Sequence, residues 1–154
     1  MNQREQLEGV VAAVYPSARR IALMLCRDPV EAEDLTQDAI LRVIRRPPKP
    51  FTEEVVRAWL RTAITRLFLS GRRRFSREAR SLARLRGRPL VHAQIDESVP
   101  SEDVMRALEQ LSPKQRACIV LRYLEDQSEQ DVAAALGMRP VSYTHLTLPT
   151  NREV

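Results

Sequence analysis

An all-α chain of two small helical domains joined by a linker is the fold class this sequence predicts. Three observations predict it. Glycine is scarce, with 4 residues in 154, and alternating apolar runs are rare. Apolar residues instead recur at spacings of three and four over several segments. Those segments are punctuated by helix caps and prolines rather than by hairpin turns. At 44% hydrophobic the chain can bury a core.

The first stripe is Leu7, Val11, Val14, Ala18, Ile21, Ala22 and Leu25. Pro16 lies inside it and is expected to kink or restart the helix near Tyr15. The second helix comes from "RDPVEAEDLTQDAILRVIRRP", with Asp28 as N-cap and Pro29 at the first helical position. Glu31, Glu33, Asp34 and Asp38 crowd its early turns and Arg42, Arg45 and Arg46 its last, an order that complements the helix dipole. Pro47, Pro48 and Pro50 end it. A third helix runs from about Thr52, with Val56, Leu60, Ala63 (or Ile64) and Leu67 facing inward.

Periodicity is then lost over residues 81–101, which read as the linker. Three short helices follow. "SEDVMRALEQL" sets Val104, Leu108 and Leu111 on one face. "SPKQRACIVLRYL" opens with a capping box, Ser112 as N-cap, Pro113 at N1 and Gln115 at N3, and carries the stripe Ala117, Val120, Leu121, Leu124. In "SEQDVAAALG", Ser128 caps, Asp131 stands at N3, Val132 and Leu136 face the core, and Gly137 ends the helix.

Charge is uneven. Residues 57–88 hold eleven Arg, one Glu and no Lys, so that window carries +10 within a total of +5. Eleven like charges repel one another unless a polyanion meets them, so the window points to a polyanion partner at one place on the chain. Cys26 and Cys118, in no metal-ligand spacing, read as small buried hydrophobes in a reducing cytoplasm. The start "MNQREQLEG" carries charges where a signal peptide needs an apolar run, and no segment approaches 18 apolar residues, so no membrane insertion is expected. The sequence has no phosphate-cradling glycine loop and no metal spacing. His92 falls in the linker and His145 in the tail, and neither has a catalytic partner in sequence. The pattern is that of a binding protein with no cofactor and no enzymatic chemistry.

Two blocks carry a family resemblance. "DPVEAEDLTQDAILRVIRR", with Glu33, Asp34, Leu35, Thr36, Gln37 and Asp38 at its centre, resembles conserved region 2.2 of bacterial RNA polymerase sigma factors of the sigma-70 family, extracytoplasmic-function (ECF) group. "LSPKQRACIVLRYLEDQSEQDVAAALG" resembles their region 4, and "RAWLRTAIT" with "GRRRF" is similar to regions 2.3 and 2.4. The resemblance covers about residues 5–80 and 102–138.

The resemblance implies a cytoplasmic transcription initiation factor. Its expected units are residues 1–80, for core polymerase and the −10 element, and 102–140, an incomplete helix-turn-helix for the −35 element. It implies that Asp34, Leu35, Gln37, Asp38, Leu41 and Arg42 dock on core RNA polymerase, with Leu41 as apolar anchor among polar and acidic neighbours. It implies that Arg61, Arg66, Arg72, Arg73 and Arg74 meet promoter DNA, partly single-stranded, where phosphates need neutralising and bases need stacking surfaces. Trp59 and Phe75 are available for stacking, although Trp59 also fits the core at this spacing. An anti-sigma factor is the third partner implied.

This sequence departs from the family at Arg66, where Asn is common, and at Ser70, where Asp is common, which leaves −10 base choice open. It departs most in the tail. Residues 141–154, "VSYTHLTLPTNREV", have β-branched residues, Pro149 and only one base, Arg152, where the family has a basic recognition helix. They read as a foreign translated end, and −35 recognition is expected to be weak. The rival reading is a helix-turn-helix regulator that works without polymerase. The acidic, Gln-bearing second helix speaks against it, since such a regulator has no use for that face. A helical adaptor or anti-sigma partner leaves the arginine window unexplained.

Overall fold

The computed structural model describes residues 2–70 and 99–137, and the structural statements below concern those residues. They form helices and no strand, in two units that divide between Pro100 and Ser101. In the first unit α1 (Gln3–Cys26), α2 (Pro29–Arg45) and α3 (Glu53–Leu69) each pack on the other two. The second holds α4 (Glu102–Glu109), α5 (Pro113–Ile119) and α6 (Glu129–Leu136). The expected all-α class with two helical units holds. The expected boundaries at 80 and 140, most of the linker, His92, His145 and the tail 141–154 lie outside the described residues.

Local chemistry explains where each helix of the first unit begins. Asn2 caps α1, its side-chain oxygen accepting from the Glu5 amide at 2.7 Å. The helix runs unbroken through Pro16, so the expected restart at Tyr15 does not occur. Proline lacks the N–H that would bond the Ala12 carbonyl, and Ala12 is exposed, so water can take that carbonyl's bond. At the corner after α1, Arg27 adopts a left-handed φ of 56° and its amide bonds the Leu23 carbonyl at 2.7 Å. The next residue, Asp28, caps α2 through the Val30 and Glu31 amides, with Pro29 at its first position. Thr52 caps α3 through the Val55 amide.

The core of this unit is the predicted stripes turned inward: Val14, Ala18, Ile21, Ala22 and Leu25 from α1, and Val56, Leu60, Ile64 and Leu67 from α3. Ile64, rather than Ala63, is the buried member of the pair left open by the sequence. Thr36 and Thr65 are buried with their hydroxyls bonded to the carbonyls of Ala32 and Arg61, so they leave no donor unsatisfied. One expectation fails here. α1 is long and apolar enough by composition to cross a membrane, although no such segment was anticipated. Its apolar stripe is instead buried in contact with α2 and α3, and core packing accounts for its composition.

In the second unit both caps form as read. Ser112 and Gln115 make the reciprocal capping box, and Ser128 accepts from the Asp131 amide at 3.0 Å. Gly137 closes α6 at φ +67°, where glycine carries no Cβ penalty. Two side chains depart from the predicted stripes. Met105, not Val104, joins Leu108 inside; both choices are helical spacings, and Val104 is left 42% exposed. After Ile119 the helix widens into a π turn over Val120–Leu124, with the Glu125 amide bonding the Val120 carbonyl at 2.9 Å. The wider turn rotates Leu124 off the stripe that holds Ala117, Val120 and Leu121, and Leu124 ends up 37% exposed. Arg116, buried, donates to the carbonyls of Leu108, Glu109 and Leu111, and so caps the end of α4 with a charge. Cys26 and Cys118 are buried thiols outside any disulfide, and burial pushes the Cys118 thiol up to about 11.

Candidate protein-docking face and nucleic-acid interface

α2 is amphipathic, and its two sides have different jobs. Ala32, Leu35, Ala39, Ile40 and Val43 are buried in the first unit. On the other side Asp34, Gln37, Leu41 and Arg42 are exposed and Asp38 is half-buried, spaced at three and four residues over three turns. Leu35 is therefore corrected. The family resemblance groups it with the docking residues, but it is 3% exposed and belongs to the core, because the 3.6-residue period carries it to the Ala32–Ala39 side. Sequence reasoning also missed Ile44. It is 43% exposed, one turn beyond Leu41, which is 48% exposed, so the face carries two apolar residues within an acidic and basic surround. Ile44 also lines a cleft of about 560 Å³ with Leu7, Pro47, Pro48 and Phe51, and Arg4 and Lys49 stand at the same cleft. The signal was available: Leu41 and Ile44 are three apart, and both lie off the stripe through Ala39, Ile40 and Val43.

Behind the exposed side lies a hydrogen-bonded clasp between α1 and α2. Glu33 Oε1 accepts from the Tyr15 hydroxyl and from Gln37 Nε2, the latter at 3.0 Å. Glu33 Oε2 accepts from Arg19 Nε at 3.2 Å. Partial burial opposes the charge on Glu33, but the bonds from Tyr15, Gln37 and Arg19 outweigh it and hold the carboxyl below its usual range. Burial, with the Glu33 carboxylate beside it, pushes the Tyr15 phenol up to about 12. Asp34 moves the other way. Desolvation and the negative charges of Glu33 and Asp28 raise it. Glu33 and Asp34 thus do different things: one ties two helices together, and the other stays on the surface. Dipole complement, the role read for both from sequence, accounts for neither difference.

α3 holds the described part of the arginine window. Arg66 is exposed and Trp59 half-buried, and seven residues of helix bring both to one side. Arg57 and Arg61 lie four apart on a different flank, both half-buried. Arg61 Nε is buried without a hydrogen-bond partner. The structure does not bring Arg61 and Arg66 to one face, because five residues of helix separate them by well over a third of a circle. Arg72, Arg73, Arg74 and Phe75 lie outside the described residues. No group of metal-binding side chains occurs among the described residues.

Comparison with known proteins places this architecture. Residues 10–78 match the family Sigma-70 region 2, and residues 101–143 match Sigma-70, region 4. The two helical units are thus those of a transcription initiation factor. The RNA polymerase sigma-E factor of Streptomyces avermitilis is 36% identical over 130 residues, spanning 82% of this chain and 68% of that protein. The sigma-E factor of Streptomyces coelicolor is 35% identical over 142 residues, spanning 90% and 77%. The ECF RNA polymerase sigma factor SigE of Mycolicibacterium smegmatis is 31% identical over 133 residues, 78% of this chain and 49% of that one. In fold, the chain resembles the sigma factor RpoE from Bartonella quintana, solved in complex with the anti-sigma factor NepR. The TM-score is 0.63 at 24% identity, over 91% of this chain and 88% of that one. This chain belongs to the ECF group of the sigma-70 family of RNA polymerase sigma factors. As a sigma factor it binds DNA and directs RNA polymerase in transcription initiation.

Proposed function

We propose that the outward side of α2 is the surface by which this sigma factor holds core polymerase. One observation carries the reading: Asp34, Gln37, Asp38, Leu41 and Arg42 share an exposed face on which apolar area stands inside a charged surround. That is the composition of an interface, with an apolar anchor in the middle and a polar rim that sets register. Ile44 extends the anchor, and Leu35 acts from beneath by fixing the helix in the core.

The DNA-facing surface is α3 and the arginines that follow it. Arg66 with Trp59 offers a charge and a half-buried ring on one side, the pair that opened −10 DNA requires. Arg61 adds charge on a second flank, and Arg72, Arg73 and Arg74 extend the phosphate contacts along the chain. The composition of residues 141–154 is poor for contacts to a −35 element. The factor works in the cytoplasm, binds without catalysing a reaction, and is held in check by an anti-sigma factor. The anti-sigma factor NepR in the RpoE complex supports that last point by analogy.

Co-elution with bacterial core polymerase tests the central assignment. The purified chain should travel with core through a sizing column. Replacing Asp38 and Leu41 together by Ala should weaken the association by about 2 kcal/mol. Co-elution of the folded double variant at the wild-type affinity would remove the assigned face.

A further inference from the structure

We propose that Glu33 is a positioning residue for polymerase docking: held from α1, its carboxylate fixes the Gln37 amide on the exposed face of α2. The inference rests on the docking reading above and adds a residue that does not itself face the partner. Glu33 and Gln37 lie one helical turn apart, and Gln37 Nε2 donates to Glu33 Oε1 at 3.0 Å. A glutamine on an open helix surface samples many rotamers, and a partner must arrest them on binding. Here the arrest is already made, because Glu33 is itself immobilised. The Tyr15 hydroxyl bonds the same oxygen, and Arg19 Nε bonds the other at 3.2 Å. The side chains of Arg19 and Glu33 are 15% and 25% exposed, so this ion pair is sheltered from much of the screening that weakens surface pairs.

The clasp also fixes which atom Gln37 offers. With one Nε2 hydrogen committed to Glu33 and the amide plane fixed, the amide oxygen is oriented to accept, so a lysine, an arginine or an amide N–H on polymerase is a fitting partner. That preference matches the acidic residues Asp34 and Asp38 on the same face, which also call for donors.

A double-mutant cycle on the full chain with core polymerase tests this. Gln37→Ala should weaken core binding by about tenfold, the worth of one oriented hydrogen bond to a charged donor. Glu33→Ala should cause a similar loss in the otherwise normal chain and little further loss in the Gln37→Ala background. If Glu33 served only the fold, its loss would be the same in both backgrounds, and the proposal would be overturned. Normal binding by a folded Glu33→Ala chain would overturn it as well. Should Glu33→Ala fail to fold, Glu33→Gln keeps the shape of the side chain, removes its charge and weakens its hold on the Gln37 amide. Its smaller loss must likewise vanish when Gln37 is Ala, and persistence would refute the idea. If Gln37→Ala itself binds normally, Gln37 leaves the docking face and the inference falls with it. If Gln37→Ala weakens binding but the cycle is additive, the docking face stands and only the positioning role is lost.

Discussion

Truncating Leu41 and Ile44 together to Ala should cost core-polymerase affinity in a chain that still folds. Leu41 is 48% exposed and Ile44 43% exposed, so about half of each side chain is still in contact with water. Fully burying a large aliphatic side chain contributes roughly 1.5–3 kcal/mol, so burying the remaining half contributes about 1 kcal/mol for each. If both become buried against polymerase, the pair contributes about 2 kcal/mol, a roughly thirtyfold change in Kd. The half of each side chain already buried contributes to the fold on the same scale, so unfolding should shift by about 1–2 kcal/mol while the inward side of α2, Leu35, Ala39, Ile40 and Val43, keeps the helix in place. Competition between unlabelled variant and labelled wild type for core polymerase gives the affinity, and a urea melt gives the stability. An unchanged Kd in a variant that still folds would refute the reasoning, because the exposed apolar area would then face nothing in the complex. A large loss of stability would refute it differently, by showing that the two side chains serve the fold.

Three other outcomes are expected. Tyr15 should ionise late, near 12, because it is partly buried and beside Glu33. Since its folded pKa lies above the ordinary 10.0, its contribution to stability is full below about 10 and fades as pH rises towards about 12. Tyr15→Phe should abolish the late step in a tyrosinate absorbance titration, and a surviving step would assign it to another residue. Arg116→Met removes the donor to three carbonyls at the end of α4 and should cost about 2–4 kcal/mol, a large share of the stability of so small a unit. Hydrogen exchange should then show α5 and α6 losing protection while α1–α3 keep theirs, and equal loss in both units would contradict the independence of the second core. Replacing Arg72, Arg73 and Arg74 by Ala should flatten the dependence of log DNA affinity on log salt by about two to three. An unaltered slope would mean that these arginines do not meet phosphate.

What was legible in the sequence was mostly local. Asp28 before Pro29, Ser112 with Gln115, Ser128 with Asp131 and the closing Gly137 each act within a few residues, so composition and order suffice to read them. The stripes on α1 and α3 were legible because long helices repeat the pattern several times. The shorter α4 offers two equally helical stripes, and only packing chooses Met105 over Val104. Leu124 was misplaced because a π turn breaks the period, and a sequence carries no mark of where that widening falls. The candidate face followed the same division. Its residue types were visible in the acid-acid-Leu-x-Gln-acid run. That Leu35 turns inward while Glu33 reaches back to Tyr15 and Arg19 is a tertiary fact, because those partners lie fourteen to eighteen residues earlier. The arginine window was plain as composition, but charge counts give no direction, and α3 spreads Arg61 and Arg66 over different flanks.

Transcription from genomic DNA by core polymerase, with and without this chain, tests the central claim most directly. RNA 5′ ends from a reconstituted reaction on the DNA of a Streptomyces relative would be mapped genome-wide. The account predicts a set of start sites that appears only when the chain is present. Those sites should share an upstream sequence centred on the −10 position. They should weaken when Asp38 and Leu41 are both Ala. Start sites identical with and without the chain, from polymerase that demonstrably responds to another sigma factor, would contradict it.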